Sequence, residues 1–115
     1  DERIKAAMPS GAVCSFDSSI MAIEHCSCNY IPQMRLYFDM GDLGMLIAPR
    51  PLVVVTGRED DIFPLDGVKE AVSRISAAYR ADGCPDCLRL VIGDGGHRFY
   101  AEKAWRAFSG FVQER

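Results

Sequence analysis

The chain has 115 residues, of which 49% are hydrophobic and 25% charged, and its formal net charge at pH 7 is −3. This composition is typical of a globular protein that buries a core, so we expect residues 1–115 to form a single domain. The mild negative charge, without a basic run, excludes binding to nucleic acid by charge alone. No apolar run approaches the length of about 18 residues that a membrane span requires, so we expect no membrane partner.

Five cysteines are many for a chain of this length. They are Cys14, Cys26, Cys28, Cys84 and Cys87. An odd number cannot pair fully within one chain, and a sequence with enough core-forming residues needs no disulfides. The N-terminal stretch opens with two acids and lacks the apolar core of a signal peptide. We therefore expect reduced thiols and a cytoplasmic location.

The first half of the chain predicts a strand, a helix and then irregular structure. Residues 3–8 are typical of a short strand. Asp17 is a suitable N-cap for a helix that runs to about Cys28. Proline and glycine interrupt residues 29–50, where a short helical turn is expected near residues 42–46.

The second half alternates strands and helices. The β-branched run at residues 51–57 predicts a strand buried on both faces, as in a parallel sheet covered by helices. A helix begins at Asp66, shows apolar residues at helical spacing and ends at Gly83. A strand at 88–92 and a helix from about Tyr100 follow, and the apolar face of that helix, which includes Trp105, is expected in the core. This order predicts an α/β fold with a short parallel sheet of about three strands, flanked by helices.

Titratable side chains follow both strands of the second half. Asp60 and Asp61 come after the strand at 51–57, and His97 comes after the strand at 88–92. The carboxyl ends of parallel neighbours meet at one edge of a sheet, which is where ligands bind in α/β folds. An aspartate there can accept the Nδ1 proton of His97 and leave Nε2 free as a general base.

The stretches "IAPRPLVVVTGREDDIFPLDGVKEA" and "LVIGDGGHRFY" resemble the C-terminal part of the α/β-hydrolase fold. The similar branch contains acetyl xylan esterase-like and dienelactone hydrolase-like proteins. Its acid lies in a G-x-x-D-x-x-x-P setting, which Gly57, Asp60 and Pro64 match, and its histidine ends a G-G-H setting, which His97 matches. The resemblance implies Asp60, and not its neighbour Asp61, as the catalytic acid and His97 as the catalytic base. It also implies a small-molecule ester substrate and no metal or organic cofactor.

The chain departs from this family at the nucleophile. The family uses a serine in a G-x-S-x-G elbow that precedes the acid and the histidine, and no such motif occurs in these 115 residues. In the family the elbow and the oxyanion-hole donors lie before the segment that matches "DERIKAA". We therefore expect the chain to be the C-terminal portion of an acyl-ester hydrolase, inactive by itself.

Two other functions are open at this point. The first is a non-catalytic α/β interaction module, which a G-x-S-x-G motif encoded within about 30 residues upstream of Asp1 would exclude. The second is a metal module, because "CSC" at 26–28 and "CPDC" at 84–87 supply four thiols. The C-x-C spacing is not typical of zinc sites, so incidental or core cysteines are favoured over metal ligands or a local disulfide. His25 is expected to be structural, with a substrate-facing role left open.

The resemblance also has a consequence for assembly. In the family, the strand that matches residues 3–8 has a further neighbour, which would leave an unpaired edge here. Unpaired edges template the addition of another chain. We therefore expect a homo-oligomer that forms through the first strand.

Overall fold

Two parallel strands and three α-helices make up the regular structure of residues 1–113, the part of the chain that the computed structural model describes. In chain order they are α1 (Met40–Met45), β1 (Leu52–Gly57), α2 (Leu65–Ala81), β2 (Leu88–Gly93) and α3 (Ala101–Gln113). Short 3-10 helices lie at Ser27–Asn29, Met34–Leu36 and Pro85–Cys87. Within residues 1–113, no helix combines the length and the apolarity needed to cross a membrane.

The core forms on both faces of β1. Leu52 and Val54 point to one side, and Val53 and Val55 point to the other, because successive strand residues alternate. The first pair packs with α2 residues Val68, Ile75 and Tyr79. The second pair packs with Tyr100, Ala104 and Phe111, at and within α3. The predicted burial of both faces is therefore confirmed, and the flanking helices supply it.

The predicted strand at residues 3–8 is wrong, and the sheet described here has two strands instead of three. Ala7 and Ser10 form only isolated parallel bridges to β1. The backbone explains the break. The Val53 amide donates to the Ala7 carbonyl and the Val55 amide to the Pro9 carbonyl, but Pro9 has no N–H to return. The segment therefore lies beside β1 without forming a continuous ladder.

The helix predicted from Asp17 to Cys28 is also wrong. Residues 16–23 form turns, and the next regular turn is the 3-10 helix at Ser27–Asn29. Serine side chains compete for the backbone here. The Ser15 hydroxyl accepts from the Ser18 amide at 3.3 Å and lies 2.8 Å from the Ser18 hydroxyl. Such local hydrogen bonds disfavour a continuous helix.

The later helices form close to the predicted positions. Gly83 follows the end of α2 with a φ of +71°, as expected for a glycine after a helix C-terminus. Trp105 is a correction, because the periodicity predicts it in the core and it is 55% exposed. Ala104 holds the buried position facing the sheet, and Trp105 packs edge-on against Phe99 and Phe108 at the flank of α3.

Tyr79 gives a test of this packing. Its hydroxyl donates to the Arg50 carbonyl at 2.5 Å, and its ring is fully buried. We expect Tyr79→Phe to lower the free energy of unfolding by about 1 kcal/mol at pH 7, measured by urea denaturation.

The difference in stability between wild type and Tyr79→Phe should depend on pH. Burial raises the Tyr79 pKa from 10.0 to about 12. Above pH 10 the unfolded chain ionises this hydroxyl while the folded chain keeps it neutral, so the hydroxyl's stabilising contribution is lost as the pH rises towards 12. The stability difference between wild type and Tyr79→Phe should shrink over that window. A difference that is constant with pH would contradict the assigned environment.

Candidate active site

The turns that follow the two strands are joined by backbone hydrogen bonds. The strands pair in register, so that Gly57 lies opposite Gly93. Beyond that pair, the Arg58 amide donates to the Gly93 carbonyl at 2.9 Å, and the Glu59 amide donates to the Gly95 carbonyl at 3.0 Å. The acidic turn and the glycine-rich turn are therefore one connected structure at the carboxyl edge of the sheet.

Gly57 makes this close junction feasible. A Cβ added at Gly57 would overlap the carbonyl oxygens of Gly95 and Gly96 and lie 2.8 Å from the Tyr100 hydroxyl. The φ angle at Gly57 is not positive. Glycine is therefore required at this position because a side chain would not fit, and not because the backbone is left-handed. The Tyr100 hydroxyl donates to the Gly96 carbonyl at 2.7 Å and so fixes the residue before His97.

Asp60 is held in one orientation. Its side chain is 1% exposed. The Oδ1 atom accepts hydrogen bonds from the Ile62 amide at 3.0 Å and from the Phe63 amide at 2.9 Å. The Oδ2 atom lies 2.9 Å from His97 Nδ1. The neighbouring acid Asp61 is exposed, so the geometry separates the two candidates that the sequence places side by side.

His97 has one nitrogen on Asp60 and an accessible ring. Its side chain is 40% exposed. Because an ionised Asp60 only accepts hydrogen bonds, the neutral imidazole carries its proton on Nδ1 and keeps a lone pair on Nε2. Phe63 stacks on the ring, with centroids 5.7 Å apart and planes inclined by 21°. Gly11, with a φ of +55°, approaches so closely that a Cβ there would lie 2.6 Å from His97 Cε1.

A second histidine, His25, contacts residues that lie next to this site. The buried Ser19 hydroxyl donates to the Ile62 carbonyl at 2.6 Å and lies 3.1 Å from His25 Nε2. Since the single hydroxyl proton is directed to the carbonyl, His25 Nε2 must be the donor in the second contact. The His25 ring packs edge-on against Phe63 at 5.6 Å, and Phe63 in turn contacts His97.

These contacts argue against Ser19 as a nucleophile. Its side chain is buried, its proton is already bonded to a carbonyl, and the neighbouring imidazole donates to it instead of accepting from it. Ser19 and Phe63 were missed as supporting residues in the sequence. No local motif marks them, because only the fold brings residues 19, 25 and 63 together.

The remaining candidate groups are not assembled into a site. Over residues 1–113, no three His, Cys, Asp or Glu side chains converge as metal ligands would, so the four thiols of the metal hypothesis do not meet at one site. All five cysteines are free. A cavity of about 390 Å³ lies beside residues 29–35, and Phe16 and Ile20 also line it. Neither Asp60 nor His97 lines that cavity, so it gives no substrate-binding residues for the pair.

The two histidines should have opposite tautomers. At a pH where both rings are neutral, we expect ¹⁵N NMR to show Nδ1–H at His97 and Nε2–H at His25. Asp60→Asn should reverse the His97 tautomer. The amide oxygen would stay on the Ile62 and Phe63 amides, and the NH₂ group would then face Nδ1.

Asp61→Asn is the matched control for that experiment, because Asp61 is an exposed neighbour of the same size. It should leave both tautomers unchanged. An Asp60→Asn protein that keeps Nδ1–H at His97, or an Asp61→Asn protein that loses it, would rule out the assigned pairing.

Comparison with known proteins finds similar proteins, among them one named a hydrolase and one an esterase. No model of a protein family matches the sequence. The chain is 34% identical over 68 residues to a Bacillus subtilis (strain 168) protein named "Putative hydrolase YtaP", a match that spans 59% of this chain and 23% of the relative. A carbohydrate esterase family 15 glucuronoyl esterase from Caldicellulosiruptor kristjansonii has a similar structure, with a TM-score of 0.72 and 16% identity.

The structural similarity covers all of this chain and 40% of the esterase, so the chain spans less than half the length of either similar protein. Over that length it has the α/β architecture of the esterase, with a short parallel sheet flanked by helices. The predicted fold class is therefore confirmed: the chain has an α/β fold with a short parallel sheet flanked by helices.

Proposed function

We propose that this chain carries the acid and the base of a serine ester hydrolase. The observation that supports the proposal most strongly is the 2.9 Å contact from buried Asp60 Oδ2 to His97 Nδ1, in a histidine whose side chain is 40% exposed. His97 takes the proton of the serine nucleophile and returns it to the leaving alcohol, while Asp60 orients and stabilises the imidazolium. Water then clears the acyl-enzyme, and no step requires a metal or an organic cofactor.

The nucleophile comes from outside the 115 residues in this proposal. The sequence has no G-x-S-x-G elbow, and Ser19 is unsuited to the role. The matched 68 residues span 23% of the Bacillus relative, and the structural match spans 40% of the solved esterase, which leaves room for an elbow and an oxyanion hole in a longer protein. We accordingly propose that residues 1–115 are its C-terminal portion and that its substrate is a small acyl ester of the acetyl xylan type.

A non-catalytic interaction module is the second candidate. Large apolar side chains stand exposed at Leu36, Tyr37 and Leu46, and such groups often mark a surface that another protein segment covers. The same surface is also compatible with packing against the rest of a hydrolase. The coding sequence upstream of Asp1 distinguishes the two, since only the hydrolase requires a G-x-S-x-G motif there.

Ester hydrolysis tests the first candidate. The 115-residue chain alone should hydrolyse p-nitrophenyl acetate no faster than free imidazole, because nothing stabilises the tetrahedral intermediate. A polypeptide extended at the N-terminus by its encoded upstream residues should be active. In that protein, Asp60→Asn or His97→Ala should lower kcat by about a thousandfold or more, and Asp61→Asn should change it little.

Two results would reject the hydrolase function. One is an upstream sequence without an elbow, which would leave the interaction module. The other is an active extended protein in which His97→Ala keeps full activity. Circular dichroism of each variant separates the loss of a catalytic group from the loss of the fold.

We also propose that the chain self-associates through residues 4–10. Among the described residues, the ladder hydrogen bonds of Ala7, Pro9 and Gly11 all go to residues 51–55, so the other edge of this segment has no described strand. Lys5 is the charged side chain that lies within it, and the neighbouring side chains are small or apolar. We further propose a cytoplasmic location, which the free thiols support.

Sedimentation velocity at low micromolar concentration tests the association. We expect a dimer, with the amides of Lys5, Ala6 and Met8, which have no backbone acceptor among the described residues, protected from hydrogen exchange in proportion to the dimer fraction. Ala6→Pro should favour the monomer, because proline removes an edge donor without adding charge. A monomer in which these three amides are already protected would contradict the proposal.

A further inference from the structure

Two exposed cysteines meet in the loop that follows His25. The Sγ atoms of Cys26 and Cys28 are 3.0 Å apart, and both residues are exposed. A 3-10 turn brings them together. In this turn the backbone N–H of Asn29 donates to the Cys26 carbonyl at 3.0 Å, which folds the chain back between the two cysteines. The folded backbone therefore already makes the approach that a disulfide between them requires.

Asn29 makes this pair more than two neighbouring thiols. Its side-chain Nδ2 lies 3.1 Å from Cys26 Sγ, 3.7 Å from Cys28 Sγ and 3.3 Å from the Cys26 carbonyl. A thiolate at Cys26 would accept one hydrogen bond from this amide and a second from the Cys28 thiol. Hydrogen bonds to the charged form favour that form, and the thiolate is the reactive form of cysteine.

The two thiols have different roles in this arrangement. The hydrogen bond to Cys26 is the main cause that raises the pKa of Cys28 above its usual value. The Cys28 thiol therefore gives up its proton less readily than a free cysteine thiol. The closer contact of Asn29 Nδ2 with Cys26 than with Cys28, together with this raised pKa of Cys28, identifies Cys26 as the attacking sulfur and Cys28 as the resolving sulfur.

We propose that Cys26 and Cys28 form a redox-active dithiol that closes to an intramolecular disulfide by exchange with a low-molecular-weight disulfide. The Cys26 thiolate attacks one sulfur of the small disulfide, forms a mixed disulfide and releases one small thiolate. Cys28 then loses its proton and attacks Cys26 Sγ, which releases the second small thiolate. Two electrons pass to the small disulfide, which leaves as two thiols after taking up two protons.

Among the described residues, no side-chain amide donates to any of the other three cysteines. Burial raises the pKa of the Cys14 thiol to about 11, which keeps it protonated and unreactive. Cys84 and Cys87 pack against the core, and the Cys84 thiol donates to the Pro49 carbonyl at 3.9 Å. The C-x-x-C pair is thus a control within the same chain. The proposal is independent of the hydrolase function, because it involves neither Asp60 nor His97.

Oxidised glutathione, added to the reduced full chain at pH 7.5, tests the proposal. We expect two of the five thiols to disappear first, and peptide mapping by mass spectrometry to find a Cys26–Cys28 disulfide without bound glutathione. Cys28→Ser should trap one glutathione on Cys26. Cys26→Ser should slow the first step at least tenfold, and Asn29→Ala should slow it several-fold.

A Cys84→Ser, Cys87→Ser double variant is the matched control and should react like wild type. Three outcomes would overturn the proposal. They are first loss of the Cys84 and Cys87 thiols, separate glutathione adducts on Cys26 and Cys28 without an internal disulfide, and no loss of thiols at millimolar oxidised glutathione. Circular dichroism before the oxidant is added shows that each variant is folded.

Discussion

The contact between the two turns at the end of the sheet is the constraint on which the site depends. Parallel pairing of β1 and β2 in register brings Gly57 opposite Gly93, and the amides of Arg58 and Glu59 extend the connection into the glycine-rich turn. This junction leaves no room for a side chain at Gly57. A small shift between the turns would separate Asp60 from His97, whose hydrogen bond is 2.9 Å long.

The pair at this junction is supported on several sides. The Ile62 and Phe63 amides hold Asp60. The Phe63 ring stacks on the His97 ring, and Gly11 lies close to that ring. The His25 ring packs edge-on against Phe63. Side chains with few alternative positions keep a general base aligned between proton transfers, which is what base catalysis requires. The arrangement orients a proton acceptor well, and the described residues do not place a suitable nucleophile beside it.

The sequence predicted the parts of this structure that depend on local pattern. A β-branched run specified β1, helical spacing and Gly83 specified α2, and the order of acid and histidine after parallel strands predicted their meeting at one edge. In these elements the residues that determine the structure are close together in the sequence, so a single sequence is enough to recognise them.

The errors arose where individual hydrogen bonds and packing positions decide the outcome. Pro9 interrupts a ladder whose partner lies more than 40 residues away in sequence, and local serine hydrogen bonds replace the helix expected after Asp17. Trp105 is on the flank of α3 although its helical spacing predicted the core. Gly57 and Gly93 are required by the close approach of other groups, which no local pattern shows.

Hydrogen exchange at the junction tests the central claim most directly. The Arg58 and Glu59 amides donate across the turns, whereas the structure assigns no backbone acceptor to the Asp61 amide in the exposed part of the same turn. We predict that the first two amides are protected to nearly the same degree as the Val53 and Val55 amides of β1, and that the Asp61 amide exchanges freely. Exchange of the Arg58 and Glu59 amides at the rate of Asp61, while β1 stays protected, would show that the turns are not joined and would contradict this account of the site.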